Sequence, residues 1–196
     1  MPPVVVDPAK VREFETAEAF HGWLATHHDR ADEVWIKIHK VATGLPSISP
    51  AEAIDVALCW GWIDGIRKGF DERSFLQRYT RRRRRSTWSA INVANVARLV
   101  QEGRMTEHGL REVEAAKADG RWSRTYHSSM ELPEDLRAAI AADPAAQATF
   151  DRLSRQNRFA LAFRVGTAKT EAGRQKSVAA LVGMLARGET IHPQKG

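Results

Sequence analysis

Five consecutive arginines, Arg81 to Arg85, are the side chains of this sequence best suited to binding an anion. A guanidinium group holds a phosphate or carboxylate through two parallel hydrogen bonds. The run comes directly before Ser86 and a predicted helix start at Trp88 to Asn92, where backbone N–H groups and the helix dipole also favour an anion. The alternative interpretation is a solvated connector whose arginines lie along the protein surface.

Three tryptophans and one aspartate lie close to this run in the sequence. Trp60, Trp62 and Trp88 have the rings to stack on a base, a sugar or an aromatic ligand, or to fill a hydrophobic core. Asp64 lies between Trp62 and Arg67. Burial against tryptophan would raise the pKa of this carboxyl and suit it to acid–base chemistry, whereas an ion pair with Arg67 would make it structural.

Our first hypothesis is a non-enzymatic protein that binds an anionic small molecule or protein partner on a basic, tryptophan-lined surface. In it, Arg82 and Arg85 hold the anion, and Asp64 orders a hairpin together with Arg67. The predicted binding residues are Trp62, Asp64, Arg67, Arg78, Arg82, Arg85, Trp88 and Asn92.

Two other functions remain open. The Arg81–Arg85 patch fits nucleic acid, and five phosphate contacts to duplex DNA would give a slope of about −4.5 for log affinity against log salt. An enzyme with Asp64 as acid or base is the second alternative, which a deep pocket joining Asp64 to His39 or Tyr79 would support. We assign no catalytic residue.

Metal and cofactor signatures are missing from the sequence. It contains no GxSxG, GxGxxG or P-loop pattern and no HExxH or paired CxxC. His21 and His28 lie on one predicted helix face, but a metal site needs more converging ligands. We therefore expect neither a cofactor nor a metal.

The positive charge is concentrated in one window. The 196-residue chain has a net charge of +6, and residues 66–104 contain eleven Lys or Arg against three acidic residues. The rest of the chain is therefore mildly acidic, and any argument for an anionic partner concerns this window.

The cysteine content and the length of the apolar stretches indicate the cellular compartment of the protein. Cys59 is the sole cysteine, so it forms no internal disulfide, and its apolar helical setting predicts a buried, inert thiol. No stretch approaches the roughly 20 apolar residues of a membrane-spanning helix, and the N-terminus does not resemble a secretion signal. We expect a cytoplasmic protein.

Periodicity and capping signals predict an α+β fold. Thr16 caps a helix to about His28, residues 33–39 alternate as a strand, and Ser49 with Glu52 forms a capping box at the start of the next helix. Residues 62–68 and 74–80 read as a hairpin. We expect a small antiparallel sheet of about three strands packed by helices.

The remainder of the chain reads as helical. Helices are predicted from about Ser89 to Glu102 and from Thr106 to about Asp119, followed by a linker over residues 120–133. We expect four C-terminal helices, one of them starting at Asp143. We expect an α+β domain over residues 1–120 and a helical region over residues 121–196.

Two long strings carry a family resemblance: TGLPSISPAEAIDVALCWGWIDG and QRYTRRRRRSTWSAINVANVARLVQEGRMTEHGL. Their ordered motifs (TGxPS, ALCxGWID, SxWSxxN and LxxxGxM) resemble the YdeI/OmpD-associated family of bacteriocin-protection proteins. The likeness runs from about Phe14 to Leu110, and the cluster around Lys169 to Arg174 resembles the helical end of the same family.

The resemblance implies an association with resistance to bacteriocins or envelope stress, and no established catalytic residue. The chain also departs from the family pattern. Arg81 and Arg84 stand where the family has prolines, so the connector loses two fixed φ angles and gains two charges. Leu45 stands where the family has a lysine.

Overall fold

The computed structural model of the chain describes residues 4–126, 131–168 and 170–194. It divides into a first unit, residues 1–125, and a second unit, residues 126–196. The described residues form eight α-helices and one four-stranded sheet, which confirms the α+β class. The predicted domain boundary after residue 120 stays a prediction.

The sheet of the first unit has the strand order β1-β2-β4-β3. Its strands are β1 (Val11–Arg12), β2 (Glu33–His39), β3 (Trp62–Gly69) and β4 (Ser74–Arg81). The predicted hairpin is confirmed, since β3 pairs antiparallel with β4. The expectation of about three antiparallel strands was incomplete because β1 pairs parallel to β2, and two residues are too few to show an alternating pattern.

Two helices cover one face of this sheet. Helix α1 (Ala17–His27) begins where Thr16 Oγ1 accepts the Ala19 N–H, and helix α2 (Pro50–Cys59) begins at the predicted capping box, in which both reciprocal bonds form. Their buried side chains pack with the inward residues of β2 and β4. The largest of this core are Phe20, Leu24, Ile36, Ile38, Ile48, Trp62 and Tyr79.

Helices α3 (Ala90–Gln101) and α4 (Glu107–Ala118) complete the first unit and confirm the predicted helices at these positions. The start of α4 approaches the end of α2 closely, because Thr106 Oγ1 donates to the Cys59 carbonyl at 2.6 Å. These helices enclose a second core with Trp88 at one end.

The described residues of the second unit form four helices, as predicted. They are α5 (Glu134–Ala141), α6 (Pro144–Asp151), α7 (Arg155–Gly166) and α8 (Glu171–Ala186). Asp143 caps α6 by accepting two backbone N–H groups. Part of the predicted linker, residues 127–130, and Lys169 lie outside the described residues. Within the described ranges, no helix is both long and apolar enough to cross a membrane.

Candidate functional site

The five arginines of the run lie in different environments. Arg81, the first of them, is at the end of β4. Its Nη2 donates to the Asp29 carbonyl at 2.7 Å and its Nε to the Ala31 carbonyl at 2.9 Å. Both carbonyls belong to the segment that follows α1. The Arg81 side chain is therefore held in one orientation across the loop between α1 and β2.

Arg82 is buried, with 7% of its surface exposed. Its guanidinium carbon lies 3.4 Å from the centroid of the Trp88 ring, and its Nη1 donates to the Thr87 carbonyl at 3.2 Å. The Arg82 backbone N–H donates to the Gly61 carbonyl at 3.1 Å. This arginine thus packs as part of the protein interior next to the pocket described below.

The last three arginines, Arg83 to Arg85, are exposed on a tight turn. The Ser86 N–H donates to the Arg83 carbonyl at 2.8 Å, and the Arg83 N–H donates to Ser86 Oγ at 2.9 Å. The turn forms without the prolines of the family pattern. Arg85 accordingly lies on the surface, apart from Arg82.

A pocket of about 530 Å³ lies beside the first two arginines. We call it the arginine pocket. Its lining residues are His28, Asp29, Trp60, Gly61, Trp62, Arg81, Arg82, His108, Arg111 and Glu112. Four segments that are distant in sequence meet there: the end of α1, the α2–β3 junction, the end of β4 and the first turns of α4.

Aromatic rings form one side of the arginine pocket. The half-buried Trp60 ring lies 5.5 Å from the His108 ring at an interplanar angle of 15°, and 4.9 Å from the His28 ring. The His28 and His108 centroids are 4.0 Å apart. The centroid of the His21 ring lies 5.2 Å from that of Trp60, in an edge-on arrangement, but His21 does not line the pocket.

Charged residues form the rest of the lining. Arg111 Nη2 contacts Nδ1 of His108, which is three residues earlier on the same helix. The lining also contains Arg81 and Arg82 together with the acidic residues Asp29 and Glu112. Nε and Nη2 of Arg82 are buried, so Arg82 acts there through its charge. The lining therefore has a small positive surplus, with hydrogen-bond acceptors beside the donors.

The sequence did not predict that His28 and His108 lie together, or that Arg111 lines the pocket. The sequence pattern singles out His28 only as a possible metal ligand, while His108 and Arg111 belong to a helix about 80 residues further along the chain. No pattern within the sequence connects them with Trp60. The contact depends on how α4 docks on α2, which is a tertiary feature.

Asp64 and Tyr79 are partners across β3 and β4 on the helix-covered face of the sheet. Burial raises the pKa of the Asp64 carboxyl, and the positive charges of Arg82 and Arg67 oppose that rise. Burial, followed by the charge of Asp64, raises the pKa of the Tyr79 hydroxyl. Neither residue belongs to the lining of the arginine pocket, and the acid–base role of Asp64 stays a prediction.

The other predicted arginines lie on different faces of the sheet. Arg67 Nε donates to Gln77 Oε1 at 3.0 Å, and its guanidinium carbon lies 4.3 Å from the Phe75 ring centroid. Arg78 pairs with Glu33 on the opposite face. Arg78 is therefore not brought together with Asp64.

The two predicted residues around the α3 start are buried. Trp88 has 1% of its surface exposed and packs against Trp122, with ring centroids 4.8 Å apart. Asn92 is 9% exposed, and its backbone N–H donates to Ser89 Oγ at 3.1 Å, which confirms the helix cap. Trp62 is also buried, at 1%, although it reaches the arginine pocket.

The remaining candidate chemistry concerns Cys59 and metal ligands. Cys59 is buried, as predicted, and burial raises the pKa of its thiol to about 11. A thiol with that pKa is almost entirely protonated at neutral pH and is a poor nucleophile. In the part of the chain that the structure describes, no three His, Cys, Asp or Glu side chains converge as metal ligands.

Two protein families match the sequence. One, described as a domain of unknown function (DUF8412), matches residues 12–112, just over half of the chain. The other, described as "Bacteriocin-protection, YdeI or OmpD-Associated", matches residues 129–188 and confirms the family resemblance there. The first-half motifs that suggested the same name lie within the first match. No curated protein and no solved structure matches significantly.

Proposed function

We propose that this chain, which belongs to the family described as a domain of unknown function (DUF8412), is a protection protein that binds an anionic ligand in its arginine pocket. The second match, over residues 129–188, carries the bacteriocin-protection description at the level of the family. Ligand binding in the first unit would then be the molecular event on which protection depends.

The convergence of three arginines on the lining of one concavity carries this proposal. Arg81 and Arg82 come from the end of β4, while Arg111 comes from α4. Hydrogen bonds between guanidinium groups and an anion are stronger than neutral ones, and several donors around one cavity hold the anion in a defined place. An isolated surface arginine lacks the second advantage, and its charge is screened by salt.

The fixed geometry of two of these arginines supports the same proposal. The contacts of Arg81 with two backbone carbonyls use two of the five N–H donors of its guanidinium group. The ring of Trp88 holds the guanidinium of Arg82 in place, and because Nε and Nη2 of that group are buried, Arg82 favours an anion through its fixed charge. Side chains that are already ordered lose less conformational entropy on binding, so more of the interaction energy appears as affinity.

The test compares how anion binding changes when each of two exposed arginines is replaced, one inside the pocket and one outside it. Arg111→Ala removes a lining residue, whereas Arg84→Ala removes the same charge from the turn outside the pocket. The probes are inorganic phosphate and pyrophosphate, titrated by calorimetry at one ionic strength. Since a charge-assisted hydrogen bond contributes about 1.5–3 kcal/mol, we expect Arg111→Ala to weaken binding at least about tenfold.

The control variant sets the outcome that would overturn the proposal. We expect Arg84→Ala to change affinity by no more than about twofold, because a distant surface charge is screened by salt. Equal losses in both variants, or no binding by the unaltered protein at millimolar probe, would remove the arginine pocket as the anion site. Survival of cells exposed to a bacteriocin should fall only with Arg111→Ala.

A further inference from the structure

We infer that the ligand of the arginine pocket carries a planar heteroaromatic ring with hydrogen-bond donors next to its anionic group, as in a nucleoside monophosphate. This inference rests on the proposed anion site and adds the chemical class of the rest of the ligand. It follows from the lining residues that are not arginines.

The aromatic side of the pocket is the first support. Trp60 and His108 are nearly parallel, at 15°, and His28 lies 4.9 Å from the same indole. Three neighbouring planar groups on one side of a cavity offer stacking surface to a ring. A bare inorganic anion uses none of this surface. A nucleic-acid base of any type can stack on aromatic side chains, because every base has a π-face.

The two carboxylates are the second support. Asp29 and Glu112 lie in the same lining as the three arginines. A carboxylate repels a polyanion but accepts hydrogen bonds from amino or hydroxyl groups. The mixture therefore favours a ligand that joins an anionic group to N–H or O–H donors, and such a ligand should bind more tightly than a simple anion does.

The size of the cavity agrees with such a ligand. Its volume of about 530 Å³ lies within the range of roughly 300–1,000 Å³ that small-molecule sites occupy. An inorganic phosphate would fill only a small part of that space. A ring joined through a sugar to a phosphate would fill more of the space and could contact both the aromatic rings and the arginines of the lining.

The experiment compares the binding of one nucleotide with the binding of its component parts. Adenosine 5′-monophosphate, ribose 5-phosphate, adenosine and inorganic phosphate are each titrated into the unaltered full chain, with tryptophan fluorescence and calorimetry as readouts. We expect the nucleotide to bind at least about tenfold more tightly than ribose 5-phosphate, which corresponds to about 1.4 kcal/mol. We also expect it to bind more tightly than adenosine.

The outcomes separate this inference from the proposal on which it rests. If ribose 5-phosphate binds as tightly as the nucleotide, the ring is not recognised and the inference is wrong, while the anion site stands. If adenosine binds as tightly as the nucleotide, the anion site itself is wrong. If no phosphate-bearing probe binds, both are wrong.

Two histidine variants test the aromatic side with a matched control. The rings of His28 and His21 both contact Trp60, but only His28 lines the pocket. We expect His28→Ala to weaken nucleotide binding by about fivefold or more while leaving ribose 5-phosphate within about twofold. His21→Ala should leave both affinities unchanged. Equal nucleotide losses in the two variants would contradict stacking inside the pocket.

Discussion

The guanidinium group of Arg82 lies 3.4 Å from the centroid of the Trp88 ring. This contact joins the end of β4 to the segment that begins α3, and it places a charged side chain against the core that α3 and α4 share. Trp88 packs on Trp122 at the same place. Arg82 therefore serves the fold and the arginine pocket together, in contrast to the exposed arginines that follow it.

Replacing Arg82 should destabilise the first unit, whereas replacing Arg84 should not. A desolvated cation–π contact contributes about 2 kcal/mol, and the hydrogen bond to Thr87 adds about 1 kcal/mol. We expect Arg82→Ala to lower the free energy of unfolding by about 2–3 kcal/mol, measured by urea titration with tryptophan fluorescence. Arg84→Ala should change it by at most about 0.5 kcal/mol, and equal losses would show that the contact contributes nothing.

Gly109→Ala should disrupt the crossing of α4 over the end of α2. A Cβ at this position would lie 2.3 Å from the Cys59 carbonyl oxygen and 2.7 Å from that of Leu58. Because both neighbours are backbone atoms, the helices have to move apart. We expect a loss of about 1–3 kcal/mol in the free energy of unfolding, as for other overpacked sites.

The matched control is Gly22→Ala on the exposed face of α1. A Cβ there would have no neighbour within 4 Å. Alanine is a better helix former than glycine by roughly 0.5–1 kcal/mol, so this variant should be neutral or stabilised. A stabilised Gly109→Ala would mean that α4 does not approach α2 as closely as the structure places it.

Local signals in the sequence predicted the elements well. The capping box at Ser49 and Glu52, the caps at Thr16 and Thr106, and the alternation of residues 33–39 each depend on side chains within a few positions of one another. Such interactions are fixed by spacing alone, so they are visible without tertiary structure. The two-residue strand β1 was not predicted, because it is defined only by its pairing with β2.

The site was only partly predictable for the opposite reason. The sequence showed Arg81 to Arg85 as one basic patch, but burial of Arg82 and the carbonyl contacts of Arg81 divide it. His108 and Arg111 join the pocket through helix docking, which no local pattern reports. Nucleic-acid binding by the Arg81–Arg85 patch stays a prediction. If only the turn residues Arg83 to Arg85 contact phosphates, the expected salt slope is about −2.7.

Asp64→Asn should stabilise the protein increasingly as pH rises. Burial raises the pKa of Asp64 in the folded state above its unfolded value, so the folded state binds the proton more tightly. Stability is then lost as pH rises from the usual aspartate range through the raised pKa. The unfolding free energy of the variant minus that of the parent should therefore increase between acidic and neutral pH. A difference that decreases would contradict the burial of this carboxyl.

Asp32→Asn is the control of opposite sign. The hydrogen bond from Lys10 lowers the pKa of Asp32, so its contribution is present above the usual aspartate pKa and is lost as pH falls. The stability deficit of this variant should therefore grow as pH rises. The same series of urea titrations measures both variants, and two curves of equal sign would contradict one of the two assigned environments.

Asn157→Ala should destabilise the second unit and loosen its residues 190–194. Asn157 is 1% exposed; its Nδ2 donates to the His192 carbonyl at 3.0 Å and to Gln194 Oε1 at 2.8 Å, and its Oδ1 accepts the His192 N–H at 2.8 Å. Three hydrogen bonds of about 1 kcal/mol each predict a loss of about 2–3 kcal/mol. Hydrogen exchange should accelerate at the His192 amide, whereas Gln175→Ala, at an exposed site on α8, should leave that rate unchanged. An unchanged rate in Asn157→Ala would mean that other contacts hold this segment.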